Sequence, residues 1–368
     1  MTAPVYMDYN ASAPIRPEAA AAMNAALALG GNPSSVHAHG RRARRAVEDA
    51  REQVAAAVGA AAPAVVFTSG ATEANGLALL GSGRERILIS AIEHDSVRAA
   101  APAAEIVPVT SAGLVDLDAL ATMLDSDRRP ALVSLMLANN ETGVLQPVAE
   151  AARIAHAHGA LLHCDAVQAV GRVSVDVNSL GVDLLSLSAH KLGGPAGVGA
   201  LYRREGVALA PQFRGGGQER GQRAGTENLA GIAGFAVAAE MAVRELDKAP
   251  RLADLRDTLE RRIAVASRGA VLFGVGAARL PNTVCVALSG ISAETQVMAL
   301  DLAGVSVSAG SACSSGKLKP SAVLLAMGVA PDLARSAIRV SLGWLSQASD
   351  IDRFMTAWNG LTAHSLAA

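Results

Sequence analysis

Lys191 sits where the apolar run Leu184–Ser188 gives way, through Ala189 and His190, to a turn built on Gly193, Gly194, Gly197 and Gly199. A short apolar run flanked by glycines reads as a buried strand. The sequence holds only four lysines, Lys191, Lys248, Lys317 and Lys319, so arginine carries nearly all the positive charge. A desolvated lysine can lose its proton and form a Schiff base, which arginine cannot do. The bland alternative is an amine that reaches out to water from a strand end.

Other polar residues recur at the ends of apolar runs. Thr68-Ser69-Gly70-Ala71-Thr72-Glu73 opens a helix after a strand, and the amides of Ala71 and Thr72 with the Thr72 hydroxyl suit an anion. The same residues could be a plain capping box. Glu93-His94 and Asn139-Asn140 follow two further runs. Asp165 closes the run at His163-Cys164-Asp165, with Gln168 just beyond. A carboxylate at an apolar strand end needs a cationic partner. A phosphate cradle, a partner for a protonated pyridine nitrogen and an amine for an aldehyde are together what pyridoxal 5'-phosphate (PLP) requires.

These residues need a scaffold that brings strand ends together. Apolar runs at Ala64–Thr68, Arg86–Ser90, Glu105–Val109, Leu132–Leu137, Ala160–Asp165, Leu184–Ser188 and Val198–Tyr202 alternate with helical patterns such as Thr72–Leu80, Asp116–Leu124 and Val148–His158. That alternation predicts an α/β fold with a largely parallel sheet, whose ligands lie beyond the carboxyl ends of the strands. Two helices and then short strands (Thr283–Leu288, Val305–Ser308, Ile338–Leu342) follow Asn228. They predict a smaller α+β domain from 251–368, joined by 1–14, beside a large domain over 15–250.

The 368 residues are 51% hydrophobic and 18% charged, with a net charge of −1, which gives no footprint for nucleic acid or an anionic membrane. Arg41, Arg42, Arg44 and Arg45 read as a solvated helix face. No signal peptide or spanning segment is expected. Three cysteines without a CxxC pair argue for a reducing, cytoplasmic setting. Cys164 and Cys285 lie in apolar strands and read as packing. Cys313 lies in a polar, glycine-rich stretch, where a thiol can react.

The ordered segments resemble the cysteine desulfurases of the NifS/IscS type, within the class V, fold-type I PLP enzymes. The resemblance runs from Tyr6-Met-Asp-Tyr-Asn-Ala-Ser-Ala-Pro14 to Ser336-Ala-Ile-Arg-Val-Ser-Leu-Gly343. Between them it rests on Gly31–His37, Phe67–Glu73, Glu93-His94, Asn139–Gly143, Asp165–Gln168, Ser188–Lys191, Gly215–Thr226 and Ser308–Ser314. It implies that Lys191 carries PLP, Asp165 pairs with the pyridinium nitrogen and Gln168 bonds the ring hydroxyl oxygen. It implies that Asn140 lies near that oxygen and the substrate, and that His94 stacks on the ring and moves protons. Ala71, Thr72, Ser188 and His190 would hold the phosphate, with Thr226 reaching the cofactor of the other subunit in a homodimer. Arg339 would clamp the carboxylate of L-cysteine. The Cys313 thiol would take the sulfur as a persulfide, leave L-alanine, and pass the sulfur to an acceptor protein such as an iron–sulfur scaffold. No intrinsic metal is implied, although Cys313 could transiently contact a cluster on that scaffold. Ala13 and Ala189 stand where relatives often have Thr and Gly, and neither change removes a reacting atom. The cysteine stretch, through Lys317-Leu-Lys-Pro320, is of the longer kind. Other class V activities (selenocysteine lyase, C–S lyase, aminotransferase) and a non-catalytic homologue are the competing readings. An intact Cys313 with Lys191, Asp165 and His94 argues against the last two.

Overall fold

The computed structural model describes residues 4–267, 269–310 and 319–366. β1 (Val5–Tyr6) precedes the main sheet, which is built from β2 (Val65–Thr68), β3 (Arg86–Ser90), β4 (Glu105–Val107), β5 (Ala131–Met136), β6 (Leu161–Asp165), β7 (Leu184–Ser188) and β8 (Gly199–Arg203). Its order is β2-β8-β7-β6-β5-β3-β4. All pairs are parallel except those of β8, which runs against both neighbours. The largely parallel α/β sheet expected from the sequence is present, with this one reversed strand.

Alternate residues of each strand serve opposite faces. Val66, Leu132, Leu184 and Leu201 pack on the helix Ala71–Gly81. Val133, Leu135, Leu162, Cys164 and Leu185 face the helices Ala38–Ala56, Val148–Ala157 and Leu229–Arg244. Both faces are covered, which is why the strands read as unbroken apolar runs. Each fully buried leucine there contributes roughly 1.5–3 kcal/mol.

A second sheet joins β9 (Ala270–Phe273), β10 (Thr283–Leu288), β12 (Ser308–Ala309) and β13 (Ala337–Ser341) in the order β12-β13-β10-β9. β11 (Val305–Ser306) pairs with β1 instead. Val284, Val286, Ile338 and Val340 pack there on Leu259, Leu300, Phe354 and Trp358 from three helices. The segment after β1 then runs between the two sheets. Asp8 bridges Ser341, and Asn10 bonds Ser341, Thr283 and the Asn140 carbonyl. No helix among the described residues is long and apolar enough to cross a membrane. Arg41, Arg42, Arg44 and Arg45 are exposed, as expected of a solvated face.

Candidate active site

β2, β3, β5, β6 and β7 point the same way, so their carboxyl ends share one edge of the main sheet. A cavity of about 350 Å³ lies at that edge. Its lining includes Ala71, Thr72, His94, Asn140, Asp165, Gln168, Ser188, His190 and Lys191. Nine expected site residues from the ends of five strands therefore meet in one place.

Lys191 ends a short 3-10 turn that follows β7 directly. Its Nζ donates to the carbonyl oxygens of Asn10 at 2.6 Å and Ala11 at 2.7 Å. Burial, and then the nearby positive charges of Arg339 and Arg172, pull its pKa down to about 7. Half of such amines are neutral near neutral pH, the state a nucleophilic amine needs. This is not a lysine reaching out to solvent.

Asp165 is fixed by two donors. Asn75 Nδ2 reaches its Oδ2 at 2.9 Å, and the Val167 amide reaches Oδ1 at 3.0 Å. Asn75 projects from the helix Ala71–Gly81, one turn beyond Thr72, and bonds Ser96 as well. Beneath Asp165, His163 is wholly buried between the hydroxyls of Ser134 and Ser186. Burial lowers its pKa to about 4, so it is neutral support rather than an acid. Glu93 donates no charge either: burial, then the Asp165 carboxylate, raise its pKa well above the usual range.

The helix Ala71–Gly81 begins at Gly70, whose φ of 155° places it in a region that suits glycine. Neither the Ala71 nor the Thr72 amide has an acceptor among the described residues. They are the orphan donors of a helix start, facing the cavity. A Cβ on Gly199 would meet Gly70 Cα at 2.8 Å, so glycine there lets β8 press against the turn. Glu73 and Arg223 pair at 2.9 Å and anchor the segment 214–226 to this helix.

His94 caps the next helix, and its Nδ1 accepts the Ser96 amide at 3.1 Å. The neutral ring then carries its proton on Nε2. His190 Nδ1 lies 3.3 Å from Ser12 Oγ. Burial, with Lys191 and Arg172, lowers the His190 pKa to about 4. Gln168 donates from Nε2 to the Asn10 carbonyl and accepts from Arg172 on Oε1.

Three expected residues stand apart from this lining. Arg339, on β13, is buried below it and donates to Asp8 Oδ1 at 2.8 Å and the Asn140 carbonyl at 3.1 Å. Thr226 is exposed and outside the cavity of its own chain. Cys313 lies outside the described residues. Cys164 and Cys285 are wholly buried, in keeping with a packing role.

Sequence reasoning missed Asp8, Asn10 and Asn75. Asp8 and Asn10 lie in the Tyr6–Pro14 segment that carries the resemblance, but neither was given a role there. Asn75 had a signal: it falls three residues after Thr72, on the same helix face.

A family model described as aminotransferase class-V matches residues 5–354. A cysteine desulfurase IscS of Dictyoglomus turgidum is 43% identical over 363 residues, which cover 95% of this chain and 92% of that protein. A cysteine desulfurase of Cereibacter sphaeroides is 45% identical over 366 residues, 95% of this chain and 94% of its own. The solved structure of a NifS-like protein from Rickettsia africae superposes with a TM-score of 0.92 at 33% identity, covering 98% of this chain and 99% of the other. With that match from end to end, the chain belongs to the class-V aminotransferase family, among its cysteine desulfurases.

Proposed function

We propose that this chain is a PLP-dependent cysteine desulfurase that converts L-cysteine to L-alanine and delivers the sulfur through Cys313. The single observation that carries the reading is the Lys191 amine, buried in a cavity with Asp165 and the orphan amides of Ala71 and Thr72. The donor set fits the cofactor. The amides and the hydroxyls of Thr72 and Ser188 suit a phosphate, Asp165 suits a protonated ring nitrogen, and Lys191 suits an aldehyde. Bound there, PLP supplies an electron sink that weakens the bonds to the α-carbon of an amino acid.

The chain's own residues then have distinct tasks. Arg339 takes the substrate carboxylate on its remaining N–H groups. The Lys191 amine accepts and returns a proton at the α-carbon, which a pKa of about 7 allows in both directions. His94 would stack on the cofactor's ring, with a second proton available on Nε2. Gln168 and Asn140 would hold the ring oxygen, with Asn140 also orienting the substrate. The Cys313 thiolate attacks the substrate sulfur, the C–S bond breaks, and carbon takes a proton to become L-alanine. The persulfide then passes to an acceptor protein, such as an iron–sulfur scaffold. Thr226 of one subunit completes the phosphate site of the other in a homodimer, which its exposure away from its own cavity suits. The labour divides between a cofactor-holding unit over 15–250 and a smaller unit of 1–14 with 251–368 that carries Arg339 and Cys313.

Incubation with L-cysteine and a reductant, assaying sulfide and alanine together, tests the reading. Equal amounts of both from the native protein, lost in Cys313→Ser, are expected. Pyruvate in place of alanine, or full activity in Cys313→Ser, would overturn it.

A further inference from the structure

Arg339 is one of the most enclosed cations of the site, and the group that meets it is Asp8. The side chains of Arg339 and Asp8 are 8% and 15% exposed. A buried guanidinium without an anion is costly, so its partner decides where it points. Asp8 is itself held through the adjoining backbone and its second carboxylate oxygen. Its neighbour Met7 accepts from Ser341 and donates to Ser306, which fixes the backbone between β11 and β13. Its Oδ2 accepts from Ser308 Oγ at 2.7 Å. Ser308 stands directly opposite Arg339 in the β12–β13 register. Asp8, Ser308 and Arg339 thus form a closed triangle.

That triangle uses Nη2 of Arg339, while Nη1 is turned to the Asn140 carbonyl at the cavity. The Arg339 Nε is buried and has no acceptor among the described residues. A buried guanidinium donor without an acceptor needs an explanation, and an anion entering from the cavity beside Asn140 would supply one. We infer that Asp8, locked by Ser308, is a positioning residue that aims the free edge of Arg339 at the carboxylate of the substrate. Asp8 touches no reacting atom. It acts by denying Arg339 other orientations and by balancing a charge that would otherwise stand alone beside Lys191 and Arg172.

This inference rests on the reading of Arg339 as the carboxylate clamp, and the experiment separates the two. L-alanine and ethylamine share an amine, but only L-alanine has a carboxylate. Each is titrated into the PLP-loaded enzyme and followed by its visible absorbance. Asp8→Ala should weaken L-alanine about 10-fold to 100-fold, the scale of a lost charge-assisted hydrogen bond, and leave ethylamine unchanged. Arg339→Ala should show the same selectivity. If Arg339→Ala is selective and Asp8→Ala is not, the role of Asp8 is overturned and the clamp stands. If neither is selective, the clamp itself falls. Equal weakening of both ligands by Asp8→Ala makes Asp8 merely structural and overturns the inference. Asp8→Asn preserves shape and one acceptor, and it keeps the test available if Asp8→Ala does not fold; it should show a smaller loss in the same direction.

Discussion

Lys191 Nζ and Gln168 Nε2 converge on one acceptor, the carbonyl oxygen of Asn10, at 2.6 and 2.9 Å. The segment after β1 therefore closes the cavity from below and keeps the amine out of bulk water. Desolvation is the first cause of its lowered pKa, followed by Arg339 and Arg172.

The apoprotein should consequently capture PLP with an unusual pH profile. Condensation with an aldehyde needs the neutral amine. The rate of PLP uptake should rise with pH and level off just above 7, not near the usual lysine value. Stopped-flow absorbance on the apoprotein measures this. Folding is linked in the same direction. The unfolded chain keeps the Lys191 proton up to its ordinary value near 10.5, while the folded chain gives it up near 7. The apoprotein should gain stability from Lys191 as pH rises through that window, a gain that Lys191→Met should abolish.

Glu141 offers the opposite sign. It is wholly desolvated between Asn140 and the second sheet, accepts Ser321 Oγ, and has its pKa raised to about 7 by burial. The folded state thus holds a proton that the unfolded state loses near 4.5. Stability should fall as pH rises from about 4.5 to about 7 and change no further from this group. Glu141→Gln should remove that fall and gain on the order of 2 kcal/mol above pH 7, with no gain at pH 4. Urea melts at the two pH values decide it.

Much of this was legible in the sequence, for local reasons. β3, β7 and β10 begin and end where the apolar runs do, and each is preceded within two residues by a charged residue or proline: Glu85, Asp183 and Pro281. The strand ends were the right place to look, since a mostly parallel sheet aligns them. Val305–Ser308 reads as one strand but is two: Val307 turns into the core, so β11 serves β1 and β12 serves β13. No periodicity reveals that change of partner, nor the reversed direction of β8. Asp8 and Asn10 were illegible as site residues because their partners lie far along the chain, Asp8 from Arg339 by 331 residues and Asn10 from Gln168 by 158.

The segment 214–226 is held by a buried ion pair. Glu219 and Arg51 meet at 2.6 Å with side chains 2% and 5% exposed. Glu219 also accepts the Phe67 amide at 2.8 Å, at the root of the phosphate cradle. It does so with φ at 45°, and Arg220 follows at 57°, a conformation that costs a non-glycine residue energy. Arg51→Met leaves the Glu219 charge buried and unpaired and should cost about 3–5 kcal/mol. Arg51→Met with Glu219→Gln should recover part of that loss, which thermal melts of the three proteins would show.

Gly199 gives the sharpest test of the cradle, because two distances disagree with any side chain there. A Cβ would lie 2.6 Å from the Leu187 carbonyl oxygen and 2.7 Å from the Gly70 carbonyl carbon. Both are backbone atoms, so no rotamer change relieves the clash. The Leu187 contact opens only if β8 shifts from β7, and the Gly70 contact only if the turn moves, so a side chain here displaces both. Gly199→Ala should therefore move the Ala71 and Thr72 amides and loosen the pairing of β8 with β7 at Leu187. PLP affinity should fall at least about 10-fold, the loss of one charge-assisted hydrogen bond to phosphate, in a chain that circular dichroism shows to be folded. Unchanged affinity for PLP would mean that these two amides do not hold its phosphate.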